Sequence, residues 1–200
     1  MLNKFRETIN SRVTNKIVAY LSDLGFQPWM LTTLSITIFI ISSILLVELP
    51  YKNAIAMLSI AFLIAGFLDA LDGALARHQN KTSKLGDFYD SLVDRVTEIV
   101  LIFALLATNL IHPNIAYIYI STALLISYIR AKGDYLGFSL QGIGLMERAE
   151  RLIAVVLSLL LWATVGVDLN VSFSVITVAN VLTIIQRISH LVRLILTWSG

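Results

Sequence analysis

Five aspartates within one short stretch are the side chains of this sequence best suited to chemistry. They lie in the segment DALDGALARHQNKTSKLGDFYDSLVD, at positions Asp69, Asp72, Asp87, Asp90 and Asp94. Asp69 and Asp72 are three residues apart, so a helix would direct both from one face. Asp90 and Asp94, four residues apart, would share a face of the next helix. Two neighbouring helices could therefore point four carboxylates into one pocket.

Such a pocket predicts a site for divalent cations. Four converging carboxylates repel one another unless cations lie between them, and oxygen ligands suit Mg²⁺ and Mn²⁺. A pair of these ions can bridge phosphate oxygens and neutralise charge on the attacking and leaving groups of a phosphate transfer. The sequence contains no cysteine, which leaves oxygen or imidazole ligands for any metal.

Residues beside the aspartates also fit phosphate chemistry. Gly73 and Gly86 have no side chain, which permits close backbone approach by a diphosphate or by a neighbouring helix. Arg77 offers a planar set of donors suited to phosphate. An alternative interpretation is a solvated loop whose acidic residues stabilise the N-terminus of the following helix. That alternative explains Asp87 but not the two aspartates that end the preceding apolar segment.

The composition indicates that a membrane protein positions these residues. Hydrophobic residues make up 57% of the 200 residues and charged residues 14%, whereas about a quarter of a soluble domain is charged. Three prolines and ten glycines leave little room for a flexible linker, so residues 1–200 are predicted to form a single domain.

Six apolar segments are each close to the roughly 20 residues that cross a bilayer as a helix. Short connections between them predict an antiparallel six-helix bundle over residues 31–197. The fold class predicted is therefore all-α, a polytopic membrane protein with six transmembrane helices. The predicted spans are residues 31–48, 54–75, 87–110, 113–133, 146–166 and 171–197.

An amphipathic helix is predicted to precede these spans, within residues 1–22. Apolar residues recur there every four positions, with basic residues off that stripe, a pattern typical of a helix lying in the headgroup layer. The alternative is an ordinary surface helix packed on a core. The stripe consists of Phe5, Ile9, Val13, Ile17 and Leu21.

The basic residues predict the orientation of the spans. Lys and Arg concentrate on the cytoplasmic side of membrane proteins. Of the 15 cations, only Lys52 falls on the side opposite to the others. Both termini and the aspartate-rich segment are therefore predicted to be cytoplasmic in a multi-pass protein of the cell membrane.

The aspartates belong to a longer pattern with fixed spacing. It reads D-x-x-D-G-x-x-A-R, then eight residues, then G-x-x-x-D-x-x-x-D. This pattern resembles the signature of the CDP-alcohol phosphotransferase family, and the likeness extends over essentially the whole chain. The eight residues that carry it are Asp69, Asp72, Gly73, Ala76, Arg77, Gly86, Asp90 and Asp94.

The resemblance implies a reaction and a role for each signature residue. A lipid-bearing phosphate would pass from a CDP-activated lipid to an alcohol, with release of CMP and with Mg²⁺ or Mn²⁺ at a two-metal site. Asp94 would be both metal ligand and general base, and the protein would be a homodimer. The metal ligands implied are Asp69, Asp72, Asp90 and Asp94. The CDP-binding residues implied are Asp69, Gly73, Ala76, Arg77, Gly86, Thr32 and Pro28; Trp29, between the last two, replaces an asparagine often found in the family.

A second group of basic residues, from Arg130 onward, concerns the identity of the acceptor alcohol. A positive-inside excess alone could explain these cations. However, the run GIGLMERAERL resembles inositol-phosphate-using members of the family, the phosphatidylinositol phosphate synthases and the archaetidylinositol phosphate synthase. That likeness implies CDP-archaeol or CDP-diacylglycerol as donor and inositol 1-phosphate as acceptor. The acceptor-phosphate ligands it implies are Ser127, Arg130, Arg148, Arg151 and Arg187.

Other functions remain open at this point. Glycerol 3-phosphate would also explain the cations, and serine is a third possible acceptor for the same chemistry. A divalent-cation transporter is a distant alternative, because acidic residues within membrane spans also mark ion pathways. Transporters often contain internal repeats, and none is visible in this sequence. No nucleic acid is expected as a partner.

Overall fold

The described part of the protein is helical throughout its regular structure. The computed structural model describes residues 12–48 and 51–197, and these contain seven α-helices. This confirms the all-α class. The helices are α1 (Arg12–Asp23), α2 (Pro28–Glu48), α3 (Tyr51–His78), α4 (Lys84–Ala107), α5 (Pro113–Tyr135), α6 (Arg148–Val165) and α7 (Leu169–Thr197).

Helices α2 to α7 coincide with the six predicted spans. Three stretches are long and apolar enough to cross a membrane by length and composition: Pro28–Glu48, Asn53–His78 and Leu169–Thr197. Helices α4, α5 and α6 have 24, 23 and 18 residues at the positions of the other three spans. Their membrane crossing, and hence the number of six spans, stays a prediction.

Helix α1 packs its apolar side on the neighbouring helices. Ile17 and Leu21, from the predicted stripe, are half-buried against a core cluster. These contacts accord with a surface helix packed on a core; a position in the headgroup layer stays a prediction. Phe5 and Ile9 lie outside the described residues. The core cluster consists of Val18, Leu31, Leu71 and Leu75.

The described residues form two compact units. The first comprises those up to Ser42 together with Ile60–Thr97, and the second comprises Ser43–Ser59 and the described residues from Glu98 onward. Helices α2, α3 and α4 each contribute to both units. All four predicted metal-binding aspartates belong to the first unit, and all five predicted acceptor-phosphate ligands belong to the second.

In the second unit, α7 packs against α5 and α6. The rings of Tyr119 and Phe173 meet edge to face with their centroids 5.0 Å apart. Asn180, fully buried, donates from Nδ2 to Thr122 Oγ1 at 3.2 Å. Gly166, the residue that follows α6, has a φ of 78°, the left-handed conformation that commonly terminates a helix. The Tyr119–Phe173 ring contact and the Asn180–Thr122 hydrogen bond therefore join α7 to α5.

Candidate active site

Three aspartates of the first unit bring carboxylate oxygens together. One oxygen each from Asp69, Asp72 and Asp90 lies within 4.8 Å of the other two. Asp72 is buried, and Asp69 and Asp90 are half-buried. The convergence predicted from the spacing is thus present for these three residues. They form what we call the aspartate cluster.

Two helices and the turn between them produce this convergence. Asp69 and Asp72 lie one turn apart near the end of α3, and Asp90 lies in the second turn of α4. Ser83 caps the N-terminus of α4, because its Oγ accepts a hydrogen bond from Gly86 N at 3.0 Å. The cap fixes the residue at which α4 begins. It thereby fixes the side of α4 on which Asp90 lies, the side that faces α3.

The aspartate cluster fits a divalent cation on electrostatic grounds. Two negative charges 4.8 Å apart repel by roughly 3 kcal/mol at an effective dielectric constant of about 20. A cation bound by all three oxygens would offset this repulsion. A set of carboxylate ligands without nitrogen or sulfur favours hard ions such as Mg²⁺ and Mn²⁺.

Thr32 orients one of these carboxylates. Its side chain is buried in α2, and Oγ1 donates a hydrogen bond of 2.5 Å to Asp72 Oδ2. The same oxygen lies 3.3 Å from Pro28 O, a longer contact for a hydroxyl that has one proton to donate. Thr32, predicted to contact CDP, therefore also orients a residue of the aspartate cluster.

Loss of this hydrogen bond should weaken metal binding. We expect Thr32→Val to raise the Mn²⁺ concentration for half-maximal activity about tenfold, since partners that orient ligating carboxylates carry effects of that size. Thr33→Val is the matched control, because the exposed Thr33 hydroxyl donates to Trp29 O at 2.7 Å and does not touch Asp72. Equal Mn²⁺ dependence in the two variants would contradict this role of Thr32. A manganese titration of the activity of each variant measures both.

Asp94 lies one helical turn beyond Asp90 on α4. Its side chain is 10% exposed, and Oδ2 lies 3.7 Å from Arg95 Nη1. Arg95 Nη1 also donates to Ser91 O at 2.6 Å, which holds that cation beside Asp94. Asp94 is not among the three residues of the aspartate cluster, and its roles as metal ligand and general base stay predictions.

The other residues predicted to bind CDP lie on α2, α3 and α4. Pro28 is the first residue of α2, and Ala76 and Arg77 belong to the last turn of α3, with Arg77 exposed. A Cβ added at Gly73 would lie 3.5 Å from Arg77 Nη1, an ordinary contact, and Gly86 is exposed. The Arg77 guanidinium thus lies directly beside Gly73. Nucleotide binding by these residues stays a prediction.

The five predicted acceptor-phosphate ligands differ in their surroundings. Arg130 is exposed, and Ser127 and Arg148 are half-buried. Arg151 and Arg187 are only 3% and 2% exposed, and both guanidinium groups are bonded to protein oxygens. The structure therefore separates two buried arginines from three more accessible residues, a difference that spacing alone could not reveal.

Arg151 forms a buried ion pair with a residue that the sequence analysis did not select. Its Nε and Nη2 donate to Oε1 and Oε2 of Glu98, the latter at 3.1 Å. Tyr119, fully buried, donates from its hydroxyl to Glu98 Oε1 at 3.0 Å. The sequence did contain an indication of Glu98, because this residue continues the four-residue spacing of Asp90 and Asp94 along α4.

Comparison with known proteins gives consistent matches over nearly the full length. A family model described as CDP-alcohol phosphatidyltransferase matches residues 26–198. The archaetidylinositol phosphate synthase of Aeropyrum pernix is 32% identical over 194 residues, which cover 96% of this chain and 96% of that protein. The archaetidylinositol phosphate synthase of Pyrococcus horikoshii is 31% identical over 189 residues, covering 94% and 95% of the two chains.

Solved structures show the same fold. The phosphatidylinositol phosphate synthase of Mycobacterium tuberculosis with CDP-DAG bound matches with a TM-score of 0.77 at 27% identity, covering 90% of this chain and 94% of that chain. The same enzyme in complex with manganese and citrate matches with a TM-score of 0.75 at 26% identity, covering 89% and 88%. The likeness confirms a polytopic membrane fold for this chain.

Proposed function

This chain belongs to the CDP-alcohol phosphatidyltransferase family, and we propose that it transfers an archaetidyl-type phosphate group from a CDP-activated lipid to inositol 1-phosphate. The observation that carries the proposal is the aspartate cluster, because its three converging carboxylates lie within the sequence pattern that resembles the family signature. Membership of an enzyme family excludes the cation-transporter alternative. The acceptor and the lipid chains are the proposed parts.

The residues of the first unit would bind the donor and accept the proton. Asp69, Asp72 and Asp90 would hold the divalent cations, with Asp94 as a further ligand. When bound, Mg²⁺ or Mn²⁺ supplies positive charge that stabilises the diphosphate and the departing CMP. The CDP group would be bound by Asp69, Gly73, Ala76, Arg77, Gly86, Thr32 and Pro28.

Asp94 would act on the acceptor rather than on the donor. Its carboxylate takes the proton of the acceptor hydroxyl as that oxygen attacks the lipid-bearing phosphorus. One phosphorus–oxygen bond forms to the acceptor and the bond to the CMP oxygen breaks, so CMP leaves with the electron pair of that bond. The proton stays on Asp94 until solvent removes it. The low exposure of Asp94 suits this task, because few water molecules can compete as the nucleophile.

The acceptor's phosphate would be held by cations of the second unit. Arg130 and Arg148 supply positive charge, and Ser127 supplies a hydroxyl one turn before Arg130 on α5. The names of the archaeal and bacterial relatives support an inositol phosphate as the acceptor. The archaeal relatives, at 31% and 32% identity over most of both chains, support CDP-archaeol over CDP-diacylglycerol.

The membrane arrangement is proposed along with the reaction. Six spans, with α1 on the membrane surface and both termini in the cytoplasm of a homodimeric protein of the cell membrane, would present the aspartates to the water-soluble acceptor and to the headgroup of the lipid donor. The basic residues predicted for the cytoplasmic side support this orientation.

Purified protein reconstituted with CDP-archaeol and Mn²⁺ tests the acceptor directly. We expect CMP release with inositol 1-phosphate and little release with free inositol, which lacks the phosphate that the cations would bind. Glycerol 3-phosphate and serine are the competing arms, and CDP-diacylglycerol tests the donor. Turnover with serine alone, or with glycerol 3-phosphate in preference to inositol 1-phosphate, would overturn the acceptor assignment.

A further inference from the structure

The segment that connects α5 to α6, residues 136–147, is attached to α7 by two buried side chains. Thr183 Oγ1 accepts a hydrogen bond from Met146 N at 2.9 Å, and Arg187 Nε donates to Ile143 O at 2.8 Å. Thr183 and Arg187 are 0% and 2% exposed. Because they lie one turn apart on α7, they hold two points of the connecting segment against the same face of that helix.

Arg187 also reaches α5 and the residue that precedes α6. Its Nη1 donates to Ile126 O of α5 at 3.0 Å, and its Nη2 donates to Glu147 Oε1 at 3.1 Å. Glu147 is the residue before the first turn of α6, and the same oxygen accepts from Gly142 N at 2.9 Å. One guanidinium group therefore joins α5, the connecting segment and the start of α6.

Gly144 of the connecting segment lies directly against the side chain of Thr183. Its φ is +116°, a conformation that L side chains rarely adopt. A Cβ added at this position would lie 2.4 Å from Thr183 Cγ2, closer than real Cβ atoms approach their neighbours. Any larger residue at 144 must push the connecting segment away from α7.

We infer, resting on the proposed function, that Arg187 is a positioning residue for the acceptor site rather than a ligand of the acceptor's phosphate. Ser127 and Arg148, which we propose to contact that phosphate, directly follow two residues that Arg187 binds, Ile126 and Glu147. The buried guanidinium is already engaged by three protein oxygens. Loss of these bonds would release the connecting segment and shift Arg148 without removing a phosphate contact.

Substitutions that leave the charge of the protein unchanged distinguish a positioning role of Arg187 from direct binding of the acceptor's phosphate. In the full-length enzyme we expect Thr183→Val and Gly144→Ala each to raise the KM for inositol 1-phosphate about tenfold, the effect of one lost or strained buried hydrogen bond. The donor KM should stay within about twofold, because the donor residues belong to the first unit. Thr183→Ser is the matched control, since it keeps the hydroxyl. Arg187→Ala combined with Thr183→Val should cost less than the two separate effects, because both act through one segment.

Amide hydrogen exchange of the ligand-free enzyme supplies a second test. Exchange across residues 136–147 should be faster in Thr183→Val and in Arg187→Ala than in the wild type, and unchanged in Thr183→Ser. If Arg187→Ala alone raised the acceptor KM and neither uncharged variant did, Arg187 would be a phosphate ligand and the inference would fail. Unaltered exchange would also overturn it.

The exchange measurement needs no acceptor, so it distinguishes failure of this inference from failure of the proposed function. The proposed function fails if the wild type does not turn over inositol 1-phosphate. In that case the KM comparison is made with whichever acceptor supports CMP release by the wild type.

Discussion

Asp94→Asn is expected to reduce CMP release by about 10²- to 10⁴-fold while the protein still folds and binds the CDP-lipid, because the loss of a general base has effects of this size. The amide is nearly the same size as the carboxylate but cannot accept the proton of the acceptor hydroxyl. The aspartate cluster would remain, since its three residues are Asp69, Asp72 and Asp90. Steady-state kinetics and equilibrium binding of the CDP-lipid measure the two effects separately.

Asp87→Asn provides the control for this substitution. Asp87 lies in the first turn of the same helix and is exposed, so the variant removes one negative charge from α4 without altering a predicted catalytic group. We expect its turnover to stay close to that of the wild type. Near-normal turnover of Asp94→Asn would remove Asp94 from the mechanism, and lost CDP-lipid binding would show that Asp94 acts mainly as a ligand of the donor site.

The aspartate cluster could be predicted from the sequence because it depends on spacings between residues that are close together in the chain. Three- and four-residue spacings determine which side chains share a helix face, and the apolar segments on either side predict helices. The structure places Asp69, Asp72 and Asp90 together as this reasoning requires. The helix positions also followed from apolar length, because a backbone that crosses lipid must satisfy its own hydrogen bonds.

Contacts between distant parts of the chain could not be predicted in this way. Thr32 and Asp72 are 40 residues apart in sequence, and Glu98 and Arg151 are 53 apart. From the sequence alone, a basic residue near the predicted cytoplasmic face looks the same whether its side chain binds a phosphate or a buried carboxylate. Burial and partners decide between these roles, and neither is encoded in local spacing.

Arg151 is the residue for which this ambiguity has the largest measurable consequence. Arg151 is 3% exposed, and its guanidinium donates two hydrogen bonds to Glu98 and balances the charge of that carboxylate. We expect Arg151→Met to lower the free energy of unfolding by about 3–5 kcal/mol, because removal of one partner leaves an uncompensated buried charge. Thermal unfolding of the protein in detergent, followed by loss of monodisperse protein, ranks the variants.

The double variant Glu98→Gln with Arg151→Met should recover most of this loss, since it removes both charges and keeps an acceptor for the Tyr119 hydroxyl. Arg193→Met is the matched control: it removes an arginine from an exposed position of α7, where substitutions usually change stability by less than about 0.5 kcal/mol.

The acceptor KM of the double variant then identifies the role of Arg151. A value near that of the wild type is expected, because the guanidinium faces Glu98. A stable double variant with a strongly raised acceptor KM would instead make Arg151 a ligand of the acceptor's phosphate, as the likeness of GIGLMERAERL to inositol-phosphate-using enzymes implies.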